Sequence, residues 1–161
     1  MLTPVVDFLL ARDDVDADKL TLYGVSQAGY WVPRALAFEH RFAAAVADGG
    51  AVDMARSWHQ NIPHVLLSAY LKGDKVRFDK ELELAFHLPG THTGKITTPL
   101  YIVETDGDQF FAGQSAELAA LVPGSTLARF TQEEGASYHC QPLDREITEQ
   151  HMFDWMDEQI R

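Results

Sequence analysis

Cysteine is nearly absent from the chain, with Cys140 the single example in 161 residues. One thiol excludes an intrachain disulfide, leaves too few thiolates for a structural zinc site, and fits a reducing, cytoplasmic compartment. Basic residues are scarce as well: 13 Lys and Arg stand against 24 Asp and Glu, a formal net charge of −11. Nucleic acid and anionic membranes both require a basic face that displaces counterions. No Lys/Arg cluster supplies one here, so neither is expected as a partner. Nowhere do about 18 apolar residues run together, as a membrane span needs. The opening MLTPVVDFLLARDDVD has no basic leader and no small-residue cleavage site, so export is not expected either. Internal repeats and low-complexity tracts are also missing.

What remains is an ordinary globular composition, 46% apolar and 23% charged. A chain of this length is expected to form a single domain over residues 1–161 with a core of its own. Val5, Val6, Leu9 and Leu10 stand at helical spacing behind Thr3 as N-cap and Pro4 at the first helical position, predicting a helix over Leu2–Ala11. Asp13–Asp18 is a turn. Leu20–Gly24 is apolar enough for a buried strand, and Gln27–Glu39 has a helical pattern. A second strand over Phe42–Ala47 ends at the turn Asp48-Gly49-Gly50. A helical insertion over about 53–98 follows, with helical stretches at Ile62–Leu71 and Asp79–Phe86 broken by Lys72-Gly73-Asp74. Pro99–Val103 is a third strand, Ser115–Leu121 a helix and Thr126–Phe130 a fourth strand. The closing helix Glu146–Ile160 carries Ile147, Met152, Phe153, Trp155, Met156 and Ile160 as its apolar face. Strands alternating with helices predict the α/β class, with a mostly parallel sheet of about four strands covered on both faces. Ligands bind such sheets beyond the carboxyl ends of the strands.

Ser26 occupies that position. In Gly24-Val25-Ser26-Gln27-Ala28-Gly29 the serine follows a strand and opens a helix, the context of a nucleophile elbow. Small residues flank such a serine because the turn forces strand and helix together. Ala28 stands where a glycine is usual, with Gly29 beside it for relief. A serine hydroxyl that only caps the helix is the plainer alternative. A serine becomes a competent nucleophile when an imidazole takes its proton, and that imidazole needs a carboxylate to hold its tautomer. On this fold the chain order is serine, acid, histidine. Asp106 and Asp108 follow the third strand, and Asp48 ends the second. Asp108 is the first choice as acid, with Asp106 and Asp48 as alternatives. His139 follows the fourth strand in a glycine-containing loop and is the expected base, whereas His40, His59, His64, His87, His92 and His151 are expected on helices or in the helical insertion. Cys140 is a weaker competitor for the nucleophile. No closely spaced His/Asp cluster on one element suggests a metal, and no cofactor is expected.

With these residues in place, the chain resembles the α/β-hydrolases grouped around prolyl oligopeptidase and dienelactone hydrolase, closest in type to the dihydroxypseudooxynicotine hydrolases. The resemblance rests on DFLLARDDVDADKLTLYGVSQAGYWVPRALAFEHRFAAAVADGG, PLYIVETDGDQFFAGQSAELAALVPG and EGASYHCQPLDREITEQHMFDWMDEQI, more than half of the chain. It implies a serine hydrolase acting on a small ester, amide or activated carbon–carbon bond, with Ser26 as nucleophile, Asp108 as acid and His139 as base. It also implies an oxyanion hole to which the Gln27 N–H contributes. Members of the group place further strands, a second oxyanion donor and a helical cap ahead of the nucleophile, which here arrives at residue 26. The chain thus resembles the C-terminal half of that fold. An alternative expectation follows: a catalytically weak subunit that associates with itself or with a separate N-terminal half through the edge of its first strand.

Overall fold

The structure is a computed structural model and describes residues 2–54, 56 and 90–161. The helical stretches expected at Ile62–Leu71 and Asp79–Phe86 lie outside the described residues. Helix α1 (Thr3–Leu10) is followed by a 3₁₀ turn (Ala17–Lys19), strand β1 (Thr21–Val25), helix α2 (Gln27–Leu36) and strand β2 (Ala44–Asp48). A four-residue helix α3 (Gly90–Thr93) then precedes β3 (Leu100–Thr105), α4 (Gln114–Leu121), β4 (Thr126–Phe130) and α5 (Arg145–Gln159). The strands form one parallel sheet in the order β1-β2-β3-β4. Parallel neighbours need a crossover rather than a hairpin. Helices α2 and α4 supply it between β1 and β2 and between β3 and β4.

Side chains alternate between the two faces of the sheet, because successive residues of a strand point in opposite directions. Ala45, Ala47, Leu100 and Ile102 pack with Val6 of α1, Tyr30 and Leu36 of α2 and Leu118 of α4. Val46, Tyr101, Val103 and Phe130 face the other way, onto Met152 and Met156 of α5. Every residue of β2 is buried, as an interior strand covered on both sides should be. Strand β1 lies at an edge, and Tyr23 there remains 36% exposed.

Several expected boundaries and contacts shift. Thr3 is the first residue of α1 and not its N-cap, a position taken by Leu2 without a side-chain bond. The Thr3 hydroxyl is engaged instead by Glu39. Helix α2 stops at Leu36, short of Glu39, whose carboxylate accepts from Arg41 Nε and Nη2 at 2.7 and 2.6 Å. The Arg41 bonds hold the Glu39 carboxyl down to about 2. Arg41 Nη1 also reaches Asp7 at 2.7 Å, so the ion pairs tie α1 to the end of α2. On α5, Met152 and Met156 are buried as expected, but Phe153 is about half exposed and Thr148 is fully buried. The apolar stripe is therefore narrower than the composition of the helix suggested. No helix among the described residues is long and apolar enough to cross a membrane.

Candidate active site

The carboxyl ends of the four parallel strands converge on one place: Ser26 follows β1, Asp48 ends β2, Asp108 follows β3 and His139 follows β4. Ser26 has φ 58° and ψ −122°, a backbone conformation that non-glycine residues rarely adopt. Two backbone bonds hold it there. Its N–H donates to the Asp48 carbonyl at 2.9 Å, and its own carbonyl accepts from the Gly29 N–H at 2.9 Å.

The glycines beside Ser26 are required by contact distance. A Cβ on Gly24 would stand 2.5 Å from the Ala28 carbonyl oxygen and 2.6 Å from Val32 Cγ2. A Cβ on Gly29 would stand 2.6 Å from the Asp48 carbonyl oxygen and 2.7 Å from that of Gly49. Helix α2 therefore begins in backbone contact with both β1 and the end of β2. The missing side chain of Gly29 admits the turn at the end of β2.

The structure brings Ser26, His139 and Asp108 together. His139 Nε2 is 2.8 Å from Ser26 Oγ, and His139 Nδ1 is 2.9 Å from Asp108 Oδ2. The His139 and Asp108 side chains are each only 8% exposed. The other carboxylate oxygen, Asp108 Oδ1, accepts the backbone N–H groups of Phe110 and Phe111 at 2.7 and 2.8 Å. Burial works against ionisation of Asp108, but the His139 bond and the two amides outweigh it and hold the carboxyl below its ordinary value. The rings of Phe110 and Phe111 meet the imidazole edge-on, with centroids at 5.0 and 5.1 Å. Between backbone donors on one oxygen and aromatic walls around its partner, the carboxylate offers Oδ2 to the imidazole in one orientation.

The other two candidate acids are placed elsewhere. Asp106 is exposed, and its backbone N–H continues the sheet to the Phe130 carbonyl. Asp48 is buried, but its carboxylate accepts from Gln141 Nε2 at 3.0 Å and from the Tyr23 hydroxyl at 3.3 Å. Cys140 adjoins Ser26, and burial followed by the nearby Asp48 charge pushes its thiol up, away from the thiolate a nucleophile needs. His92 lies against the Phe38 ring and His151 against Phe130, and His40 sits in the turn after α2. His59, His64 and His87 lie outside the described residues. Gln27 opens α2, so its N–H belongs to the first turn, where amides have no intrahelical acceptor. Among the described residues no group of three or more His, Cys, Asp or Glu could hold a metal ion.

Contacts that local sequence patterns did not reveal also surround the imidazole. Gly49, at φ 74°, lies so near that a Cβ there would stand 3.3 Å from His139 Cε1. Its Gly-Gly context looks like an ordinary turn and carries no signal of the histidine 90 residues later. The Phe110 and Phe111 amides are equally unreadable, since only the folded turn aims them at Asp108.

A parallel sheet entered through a strained serine between β1 and α2, with helices on both faces, is the fold of the α/β-hydrolases, here in a four-stranded part. Over residues 2–160 the sequence matches the prolyl oligopeptidase family, to which the chain belongs. A 2,6-dihydroxy-pseudo-oxynicotine hydrolase superposes with a TM-score of 0.74 at 24% identity, over 98% of this chain and 45% of its own. An acylaminoacyl peptidase of Pyrococcus horikoshii gives a TM-score of 0.72 at 15% identity, over 99% of this chain and 27% of its own. An esterase of Pyrococcus furiosus gives 0.69 at 13% identity, over 99% and 61%. The chain thus spans less than half the length of the first two. No curated protein matches the sequence.

Proposed function

We propose that the protein is a serine hydrolase in which Ser26 is the nucleophile, His139 the general base and Asp108 the residue that orients the imidazole, acting on a small ester, amide or activated carbon–carbon bond. The observation that carries this reading is the continuous path from Ser26 Oγ to His139 Nε2 at 2.8 Å and from His139 Nδ1 to Asp108 Oδ2 at 2.9 Å. In the proposed reaction His139 takes the Ser26 proton as Oγ attacks the substrate carbonyl carbon. The Gln27 N–H stabilises the resulting oxyanion, and His139 returns the proton to the leaving group as its bond breaks. Water activated by the same imidazole then hydrolyses the acyl-serine. No cofactor enters these steps. The acidic surface favours a small neutral or cationic substrate over nucleic acid, and the low cysteine content favours the cytoplasm. Membership of a family of hydrolases supports the reaction class. The decisive experiment is labelling with a fluorophosphonate probe. The expected result is a mass increase mapped to Ser26 and abolished by Ser26→Ala; an unmodified intact mass after prolonged exposure overturns the reading.

A second reading is favoured by the position of β1 at the sheet edge, beside the nucleophile. Unpaired strand edges recruit partners. On this reading the chain is a subunit that pairs through β1 with a second copy or with a separate chain supplying the N-terminal strands, and is catalytically weak alone. Light scattering across a concentration series tests self-association: a monomer at all concentrations removes the homodimer.

A further inference from the structure

Asp48 is a buried acid with no part in the proton path, yet it touches both of the elements that carry that path. Its backbone carbonyl accepts the Ser26 N–H at 2.9 Å. Its carboxylate, in a residue 1% exposed, accepts from Gln141 Nε2 at 3.0 Å. Gln141 lies two residues beyond His139 and is itself 1% exposed. Cys140 and Gln141 have φ values of 60° and 46°, so two consecutive non-glycine residues after the imidazole sit in the left-handed region. Such a conformation is unfavourable for residues with a Cβ and persists only where the surroundings hold it. Among the described residues the Gln141 side chain bonds to Asp48 alone. Among the described residues its Oε1 is buried without a hydrogen-bond partner, so the amide remains inside the protein despite one unsatisfied atom. The carboxylate is also tied to β1 and α5: the Tyr23 hydroxyl donates to Asp48 at 3.3 Å and accepts from Arg145 Nη2 at 2.7 Å.

We infer that Asp48 is a positioning residue for the reaction: through Gln141 it holds the Tyr138–Gln141 turn in the left-handed geometry that aims His139 at Ser26, while its carbonyl holds the elbow itself. The inference rests on the serine-hydrolase reading. One residue at the end of β2 thereby sets the relative position of nucleophile and base, which lie 113 residues apart in sequence. Burial pushes the Asp48 carboxyl up from its ordinary value, against the Gln141 and Tyr23 bonds that work the other way.

The test uses the full chain and a fluorophosphonate probe, with thermal melting to show that each variant folds. Asp48→Ala removes the acceptor. Gln141→Asn tolerates the left-handed backbone but is one methylene too short to reach Asp48. Asp48→Asn keeps an oxygen that can accept from Gln141. If the inference holds, Asp48→Ala and Gln141→Asn lower the maximal labelling rate at Ser26 about tenfold to a hundredfold. The half-saturating probe concentration moves by less than about twofold, because the effect is on geometry and not on binding. Asp48→Asn restores most of the rate. Labelling of either disruptive variant at the wild-type rate overturns the inference. A second readout does not depend on activity: the low-field proton resonance of the His139–Asp108 bond and the slow exchange of the Gln141 amide, which donates to Tyr138 at 2.9 Å, in wild type and variants. Both signals are expected in wild type and Asp48→Asn and are lost or weakened in Asp48→Ala and Gln141→Asn. If wild type does not label, the hydrolase reading alone fails, and this second readout still decides whether Asp48 positions the turn. Unchanged signals in the disruptive variants overturn the positioning role.

Discussion

The turn that presents Ser26 and the loop that presents His139 reach the same point by opposite means. At Ser26 the geometry is made by backbone: Gly24 and Gly29 remove side chains where chains must touch, and the Asp48 carbonyl and the Gly29 N–H hold the strained residue. At His139 it is made by side chains from distant parts of the sequence, namely Asp108 from the β3 turn and Asp48 through Gln141. One half of the site is thus set by close backbone contact and the other by side-chain hydrogen bonds.

The largest effect expected from breaking this contrast is on the side-chain half. Asp108→Asn should lower the Ser26 labelling rate by about 10³- to 10⁴-fold with the fold intact, because the amide stabilises the wrong imidazole tautomer. Asp106→Asn, at an exposed position, should leave the rate within about threefold. Equal losses in the two variants would show that the β3 turn as a whole, and not the Asp108 carboxylate, serves the imidazole.

The backbone half should fail by stability. Gly24→Ala and Gly29→Ala each force a methyl group into backbone atoms that cannot give way, at a cost of about 2–3 kcal/mol in denaturant unfolding. Gly135→Ala, in the loop leading to His139, meets Asp144 Cβ at 3.2 Å and has φ 74°, and should cost about 1 kcal/mol from the left-handed backbone. A Gly135→Ala cost matching that of Gly24→Ala would erase the distinction between the halves.

The smallest effect separates the two buried aspartates by pH. Asp108 lies below its ordinary value in the folded protein, so its contribution to stability is present above the unfolded value, about 3.9, and is lost as pH falls through the folded one. Asp48 lies above its ordinary value, so its ionisation opposes folding at neutral pH. That penalty fades as pH falls through the raised value and is gone below the unfolded one. Melting of Asp108→Asn at pH 7 should therefore fall below wild type, and Asp48→Asn should melt at or above it. The Asp48→Asn difference should fade toward pH of about 4, whereas the Asp108→Asn difference should persist there and shrink only at lower pH. A loss of the same sign in both variants at pH 7 would remove the electrostatic distinction.

Much of this fold is readable from short segments. The pattern of Leu20–Gly24 followed by Gln27 onward placed β1 and α2 within a few residues, because a buried strand and an amphipathic helix each express their periodicity locally. The elbow was legible for the same reason, since Gly24, Ser26 and Gly29 are neighbours in sequence and in space. For the acid and the base the order along the chain pointed to Asp108 and His139, with Asp106 and Asp48 as alternatives at strand ends. Only the fold separated the three, by turning the Phe110 and Phe111 amides onto Asp108 and burying Asp48 against Gln141. Thr3 and Phe153 show the same limit: a good capping residue was recruited by Glu39, and an apolar residue was left facing solvent by the width of the α5 contact.

The sequence by itself therefore determined the α/β class, the strand and helix order and the turn that carries Ser26, since each depends on residues close enough together to impose their own geometry. Which carboxylate meets the His139 imidazole, the left-handed turn after His139 and the link from Asp48 to Gln141 were decided only by tertiary structure. Each joins groups tens of residues apart, and their hydrogen bonds exist only once the sheet has brought the strand ends together.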